Sequence, residues 1–107
     1  MSEFHTVARV GAIPEGQGQA FAVDGHLVAV FHLGGEYFAL NDLCPHMGAS
    51  LAAGEIYEGT VICPWHGWRF RISDGTWCDS PRIKTDVYEA RVLGEEIQVR
   101  VAKKEPS

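Results

Sequence analysis

The stretch that decides the fold is Cys44-Pro45-His46-Met47-Gly48, which is followed further along the chain by Cys63-Pro64-Trp65-His66-Gly67-Trp68. Each stretch offers one thiol and one imidazole separated by only one or two residues. Two short loops that each supply a Cys and a His can hold a metal site from opposite sides. This arrangement requires that the strands carrying the loops are fixed by the rest of the fold.

The prolines and glycines of these loops also favour a metal site. Pro45 and Pro64 follow the two cysteines, and a proline fixes φ and removes an N–H that would otherwise need a partner. Gly48 and Gly67 follow the two histidines closely, and a glycine allows positive φ and close backbone approach. Neighbouring amides can therefore point at sulfur.

The pattern Cys-x-His, a gap and Cys-x-x-His resembles the ligand pattern of the Rieske proteins, and the resemblance extends from the first strand to the last. It implies one 2Fe-2S cluster per chain, with Cys44 and Cys63 on one iron and His46 and His66 on the other. Thiolates favour iron–sulfur clusters, and imidazole binds several transition metals as a neutral ligand. With two thiolates instead of four, the oxidised cluster carries less negative charge, so we expect it to accept an electron more easily.

A structural zinc site is the alternative, because zinc also binds two Cys and two His. Zinc modules usually pair like ligands, as in Cys-x-x-Cys with His-x-x-x-His, so the mixed pairs here are unusual for zinc. The third cysteine, Cys78, is interpreted as a buried and inert thiol, because the four-ligand set is complete without it.

Length and composition indicate one small globular domain, residues 1–107. A hydrophobic fraction of 46% and a charged fraction of 21% are ordinary for a folded domain. The net charge of −5 disfavours nucleic acid and anionic membranes as partners. No apolar run reaches the roughly 18 residues of a membrane span, and the N-terminus lacks the layout of a signal peptide. With an odd number of cysteines, these features predict a cytoplasmic protein without membrane contact.

The rest of the chain has the pattern of short antiparallel strands. Asp24-Gly25 and Gly34-Gly35 are two-residue hairpin signals that join three predicted strands into a meander. Near the end, residues 87–92 and 97–101 alternate apolar and polar side chains. No longer segment shows a helical period, so the predicted class is all-β. Residues of about 42–82 are predicted to form an inserted cluster-binding subdomain on an antiparallel, barrel-like base.

Three further features of this insertion carry predictions. Residues 49–54 are predicted to form one helical turn ended by Gly54. Asp79-Ser80-Pro81 matches the position of a third loop that covers the cluster in the Rieske family. Trp68, Phe70 and Trp77 are interpreted as core aromatics beneath the cluster.

Departures from the respiratory Rieske subunits indicate a branch of the family. The positions of their disulfide cysteines hold Ala49 and Trp65, and no membrane anchor is present in the sequence. The chain is more similar to Rieske-type ferredoxins of ring-hydroxylating dioxygenases and to nitrite reductase small subunits. The resemblance implies a one-electron carrier and not an enzyme, working between a flavin-dependent reductase and a terminal oxygenase. The alternatives are a small Rieske subunit held by the large subunit of an NAD(P)H-dependent nitrite reductase, and a zinc-stabilised interaction module.

Overall fold

The computed structural model describes residues 4–43, 50–64 and 67–101, without the side chain of Pro81. These ranges contain strands throughout and one short 3₁₀ helix, Leu51–Ala53, so the all-β prediction is confirmed. The strands are β1 (His5–Arg9), β2 (Gln17–Val23), β3 (His26–Leu33), β4 (Glu36–Asn41), β5 (Glu55–Tyr57), β6 (Thr60–Ile62), β7 (Arg69–Arg71), β8 (Thr76–Trp77), β9 (Ser80–Lys84), β10 (Val87–Leu93) and β11 (Glu96–Arg100).

The base of the molecule is a six-stranded antiparallel sheet in the order β1-β11-β10-β4-β3-β2. Its two edge strands, β1 and β2, approach each other, so the sheet is nearly closed into a barrel. Its interior is filled by a buried hydrophobic cluster comprising Ile13, Val23, Val28, Val30, Ala39, Tyr88, Ile97, Val99 and Val101.

Both predicted hairpin turns are confirmed, and their backbone angles explain the residues found there. Asp24 and Gly25 have φ of 49° and 80°, and Gly34 and Gly35 have φ of 60° and 80°. Two consecutive positive φ values are what a type I′ hairpin turn requires. These turns pair Val23 with His26 and Leu33 with Glu36, and thereby fix the register of the meander.

The second sheet has five strands in the order β5-β6-β7-β8-β9 and lies between β4 and β10 in the sequence. It shares a second buried cluster with the base, to which the base contributes Ala29, Phe31 and Leu40. Strand β3 therefore has both faces buried, because Ala29 and Phe31 face this shared core while Val28 and Val30 face the barrel interior. Within the described ranges, no helix is long and apolar enough to cross a membrane.

Gly54 ends the helical turn as predicted, although for a different physical reason. Its φ is −81°, so it does not adopt the left-handed conformation of a glycine cap. A Cβ at this position would lie 2.0 Å from the carbonyl oxygen of Ile62, the residue before Cys63. Glycine is required here because the turn packs directly against the backbone of β6.

We expect Gly54→Ala to destabilise the protein by about 3 kcal/mol, because the added methyl group meets backbone that cannot rotate away. Urea unfolding, followed by tryptophan fluorescence, measures the change. Gly59→Ala is the control: Gly59 has φ of 78° and no atom near its would-be Cβ. It should cost about 1 kcal/mol of conformational strain alone. Equal losses for the two variants would contradict the steric explanation.

Candidate metal centre

Cys63 is the one proposed ligand that falls within the described residues. It follows β6 directly, is 1% exposed, and packs in the core shared by the two sheets. Cys44, His46 and His66 lie outside the described residues. The structure therefore shows the ends of both ligand loops and the place where one ligand is held.

The first ligand loop begins and ends at an isolated β-bridge between Leu43 and Ser50. Leu43 N–H donates to Asn41 Oδ1 over 3.0 Å, and Leu51 N–H donates to the carbonyl oxygen of Asp42 over 2.7 Å. Leu43 and Ser50, which flank residues 44–49, are thus adjacent. The predicted pair Cys44 and His46 belongs to a loop whose base is closed by hydrogen bonds.

Asp42 is a buried carboxylate at this base that the sequence reasoning did not select. It is 3% exposed, and its Oδ1 accepts hydrogen bonds from Ser50 Oγ and Ala52 N–H, each over 2.9 Å. Its own N–H donates to the carbonyl oxygen of Leu27 over 2.9 Å, which joins the loop to the base sheet. The available signal was an acidic residue directly after the apolar strand β4 and two positions before Cys44.

The second ligand loop is closed at its base by a hairpin. Cys63 N–H donates to the carbonyl oxygen of Trp68 over 2.7 Å, immediately beyond the β6–β7 pair Ile62 and Arg69. Gly67 has φ of 70°, which confirms the expected use of a glycine in this loop. The hairpin fixes the backbone of Cys63 at the start of this loop.

Aromatic side chains pack under this second loop. Phe70 is fully buried in the same core as Cys63, which confirms its interpretation as a core residue. Trp68 and Trp77 are partly buried and stack with ring centroids 3.7 Å apart and an interplanar angle of 6°. Stacking of Trp68, just before β7, on Trp77 of β8 resists displacement of the loop.

Cys78 is partly exposed, whereas its thiol was predicted to be buried. It lies in the turn after β8, where its N–H donates to the carbonyl oxygen of Arg69 over 2.8 Å. Among the residues that the structure describes, no group of three or more His, Cys, Asp or Glu side chains could hold a metal ion. Cys78 therefore belongs to no alternative metal site in that part of the chain.

The turn between β7 and β8 is stabilised by a second acidic residue. Asp74 accepts hydrogen bonds from Thr76 Oγ1 over 2.7 Å and from Thr76 N–H over 3.0 Å. These bonds hold the pKa of Asp74 below its ordinary value, with a smaller contribution from the nearby charge of Arg71.

Asp79-Ser80-Pro81 was predicted to be a third loop. Ser80 and Pro81 instead form the start of β9, an edge strand of the second sheet.

Comparison with known protein families shows to which family the chain belongs. Residues 3–103 match the model of the Rieske [2Fe-2S] domain. The chain therefore belongs to the Rieske family, and its cofactor is a Rieske-type 2Fe-2S cluster. A buried cysteine carried on a closed hairpin loop fits that cofactor, because a thiolate is a protein ligand of such clusters. The match decides between the two kinds of metal site in favour of the iron–sulfur cluster.

Two curated relatives illustrate the contexts of this domain. The chain is 33% identical over 99 residues to apoptosis-inducing factor 3 from Mus musculus, covering 92% of this chain and only 16% of that protein. It is 30% identical over 102 residues to the anthranilate 1,2-dioxygenase ferredoxin subunit from Burkholderia cepacia, covering 94% of each chain. The same domain thus occurs as part of a much longer protein and as a separate subunit.

Solved structures confirm the Rieske fold. A chain in the complex of reduced oxygenase and oxidized ferredoxin in carbazole 1,9a-dioxygenase has a TM-score of 0.87 and 28% identity, covering 95% of this chain and 96% of that chain. A chain described as an NADH-dependent nitrite reductase small subunit from Mycobacterium tuberculosis has a TM-score of 0.89 and 28% identity, covering 97% and 99% of the two chains.

Proposed function

We propose that this protein is a one-electron carrier that takes an electron from a flavin-dependent reductase and passes it to a terminal oxygenase. The observation that supports this most is the match, over 94% of both chains, to a ferredoxin subunit of a ring-hydroxylating dioxygenase. In this proposal the cluster is bound by Cys44, His46, Cys63 and His66. Residues 1–107 act as a single domain, with the cluster-binding part at about 42–82.

A surface groove among the described residues is too small for an ordinary substrate pocket. The groove between β4 and β10 has a volume of about 240 Å³ and is lined by Gly35, Glu36, Tyr37, Ala90, Arg91 and Val92. It lies at the ends of these strands that are remote from the insertion, and it is smaller than the usual range of about 300–1,000 Å³ for a ligand pocket. The described residues that pack with Cys63 form a buried apolar core.

A carrier of this kind stores one electron, and the bound cluster supplies that redox chemistry. The protein holds the loops and keeps Cys63 away from water. We place the exchange in the cytoplasm, because three cysteines, two of them proposed ligands, leave no disulfide framework and fit a reducing compartment.

Anaerobic titration of the purified protein tests this proposal. One electron per chain should bleach the visible absorbance, and a flavin reductase from the source organism should deliver it from NAD(P)H. The reduced protein should then be reoxidised by the terminal oxygenase with formation of hydroxylated product. If the reduced protein transfers no electrons to any oxygenase of that organism, the dioxygenase assignment fails.

The second candidate is the small Rieske subunit of an NAD(P)H-dependent nitrite reductase, which the TM-score of 0.89 to such a chain favours. A shuttle binds its partners transiently, whereas a permanent subunit co-purifies with its large subunit. Gel filtration of the native protein therefore separates the two candidates. Elution as part of a stable complex with nitrite reductase activity would replace the first proposal by the second.

A further inference from the structure

We propose that Asp42 is a positioning residue for the first ligand loop, because its buried carboxylate fastens the two ends of residues 44–49 to each other. This inference rests on the proposed ligand set, in which Cys44 and His46 belong to that loop. Asp42 itself binds no metal in this account. It acts through the backbone that carries the two ligands.

The hydrogen bonds of Asp42 all connect segments that meet at the base of the loop. Oδ1 accepts hydrogen bonds from Ser50 Oγ and Ala52 N–H, both located after the loop. The Asp42 carbonyl oxygen accepts one from Leu51 N–H. Asp42 N–H donates to Leu27, which lies in the base sheet. A carboxylate that is 3% exposed needs such partners, because a buried charge without hydrogen bonds is strongly unfavourable.

The two ligand loops differ in how their bases are closed, and this difference assigns the role of Asp42. The second loop is closed by a ladder of paired strands, with Ile62 opposite Arg69, and by the bond from Cys63 to Trp68. Among the described residues that flank the first loop, the isolated bridge between Leu43 and Ser50 and the backbone bond from Leu51 to Asp42 stand in place of a ladder. The Asp42 carboxylate supplies the additional cross-link that strand pairing supplies in the second loop.

The 3₁₀ helix after the loop supports the same conclusion. Its N-cap residue, Ser50, makes no capping hydrogen bond with its own side chain. The hydroxyl group of Ser50 instead donates to Asp42, and the N–H of Ala52 is capped by that carboxylate. Asp42 therefore caps the 3₁₀ helix from the other end of the loop. It fixes the position of Ser50 and Ala52, where the chain leaves the loop.

The test compares cluster-loaded full-length variants under a chelator. In Asp42→Ala, we expect iron to be lost to the chelator about 10-fold to 100-fold faster than in wild type, as for other residues that orient metal ligands. The EPR signal of the reduced cluster should broaden, because Cys44 and His46 are no longer held in one geometry. Asp42→Asn should behave almost as wild type, since its amide oxygen can accept both hydrogen bonds.

Asp74→Ala is the matched control, because Asp74 also accepts a hydroxyl and a backbone N–H but stands in the turn between β7 and β8. Its iron loss and EPR line shape should match those of wild type. If Asp42→Ala does not fold, Ser50→Ala removes one of the two bonds and should still accelerate iron loss. Wild-type rates and line shape in Asp42→Ala, or in Ser50→Ala where it stands in, would overturn the inference.

Cys44→Ala separates this inference from the proposed function. If Cys44→Ala lacks the cluster while Asp42→Ala equals wild type, only the role of Asp42 is wrong. If Cys44→Ala keeps the cluster, the ligand set is wrong and the inference falls with it.

Discussion

Alanine at any one of the four proposed ligands is expected to leave the protein colourless and without its cluster: Cys44→Ala, His46→Ala, Cys63→Ala and His66→Ala. Each side chain would provide one of only four protein bonds to the metal, and metal binding is coupled to the folding of the site. Iron and acid-labile sulfide analysis after expression, together with the visible spectrum, measures the loss.

Cys78→Ala is the matched control, because Cys78 is a partly exposed thiol in the turn between β8 and β9 and has no place in the ligand set. Its iron content and spectrum should equal those of wild type. A bleached Cys78→Ala protein, together with full colour in one of the other four, would show that the ligands are assigned wrongly.

Phe70→Ala is expected to lower the free energy of unfolding by about 3–5 kcal/mol, the usual cost of removing a buried phenylalanine ring. Phe70 is fully buried and packs in the core that joins the two sheets and contains Cys63. The cavity would therefore loosen the second ligand loop as well as the sheet. The shift of the urea midpoint, measured on cluster-loaded protein, reports the loss.

Tyr57→Ala serves as the comparison for Phe70→Ala, since Tyr57 is an aromatic residue of the same sheet that is 59% exposed. Its cost should stay within about 0.5 kcal/mol. Similar urea midpoints for the two variants would contradict the claim that Phe70 stabilises the core.

The hairpins and the two-part architecture could be predicted from the sequence because local signals specify them. Asp24-Gly25 and Gly34-Gly35 adopt the positive φ values that only a few residue types accept readily. The alternation in residues 87–92 and 97–101 correctly predicted two strands, but one buried face describes only part of β10. In β11 the polar Gln98 is buried between Ile97 and Val99. These features depend on neighbours in the sequence, so the sequence shows them directly.

Three strands of the insertion were not predicted, for identifiable reasons. Strand β8, Thr76–Trp77, has only two residues. Strand β5, Glu55–Tyr57, has only three residues, which is too short for alternation to be recognised. Strand β9 contains Pro81, which favoured a loop because proline cannot donate a hydrogen bond. It is an edge strand, where one missing donor is tolerated.

The role of Asp42 could not be predicted, because it depends on contacts that the topology creates. Leu27 is distant from Asp42 in sequence and reaches it through the meander. Ser50 and Ala52 reach it only after the loop has closed. The ligand pattern, by contrast, consists of two short sequence motifs, so the family could be recognised before the fold was known.

The central claim is that two cysteines and two histidines of this chain hold a 2Fe-2S cluster. Pulsed EPR of the dithionite-reduced protein, prepared with ¹⁵N-labelled histidine, tests it most directly. We expect couplings from two histidine nitrogens bound to one iron, and the loss of this signal in His46→Ala and in His66→Ala. A reduced cluster without histidine coupling, or a colourless protein that contains zinc, would contradict the account.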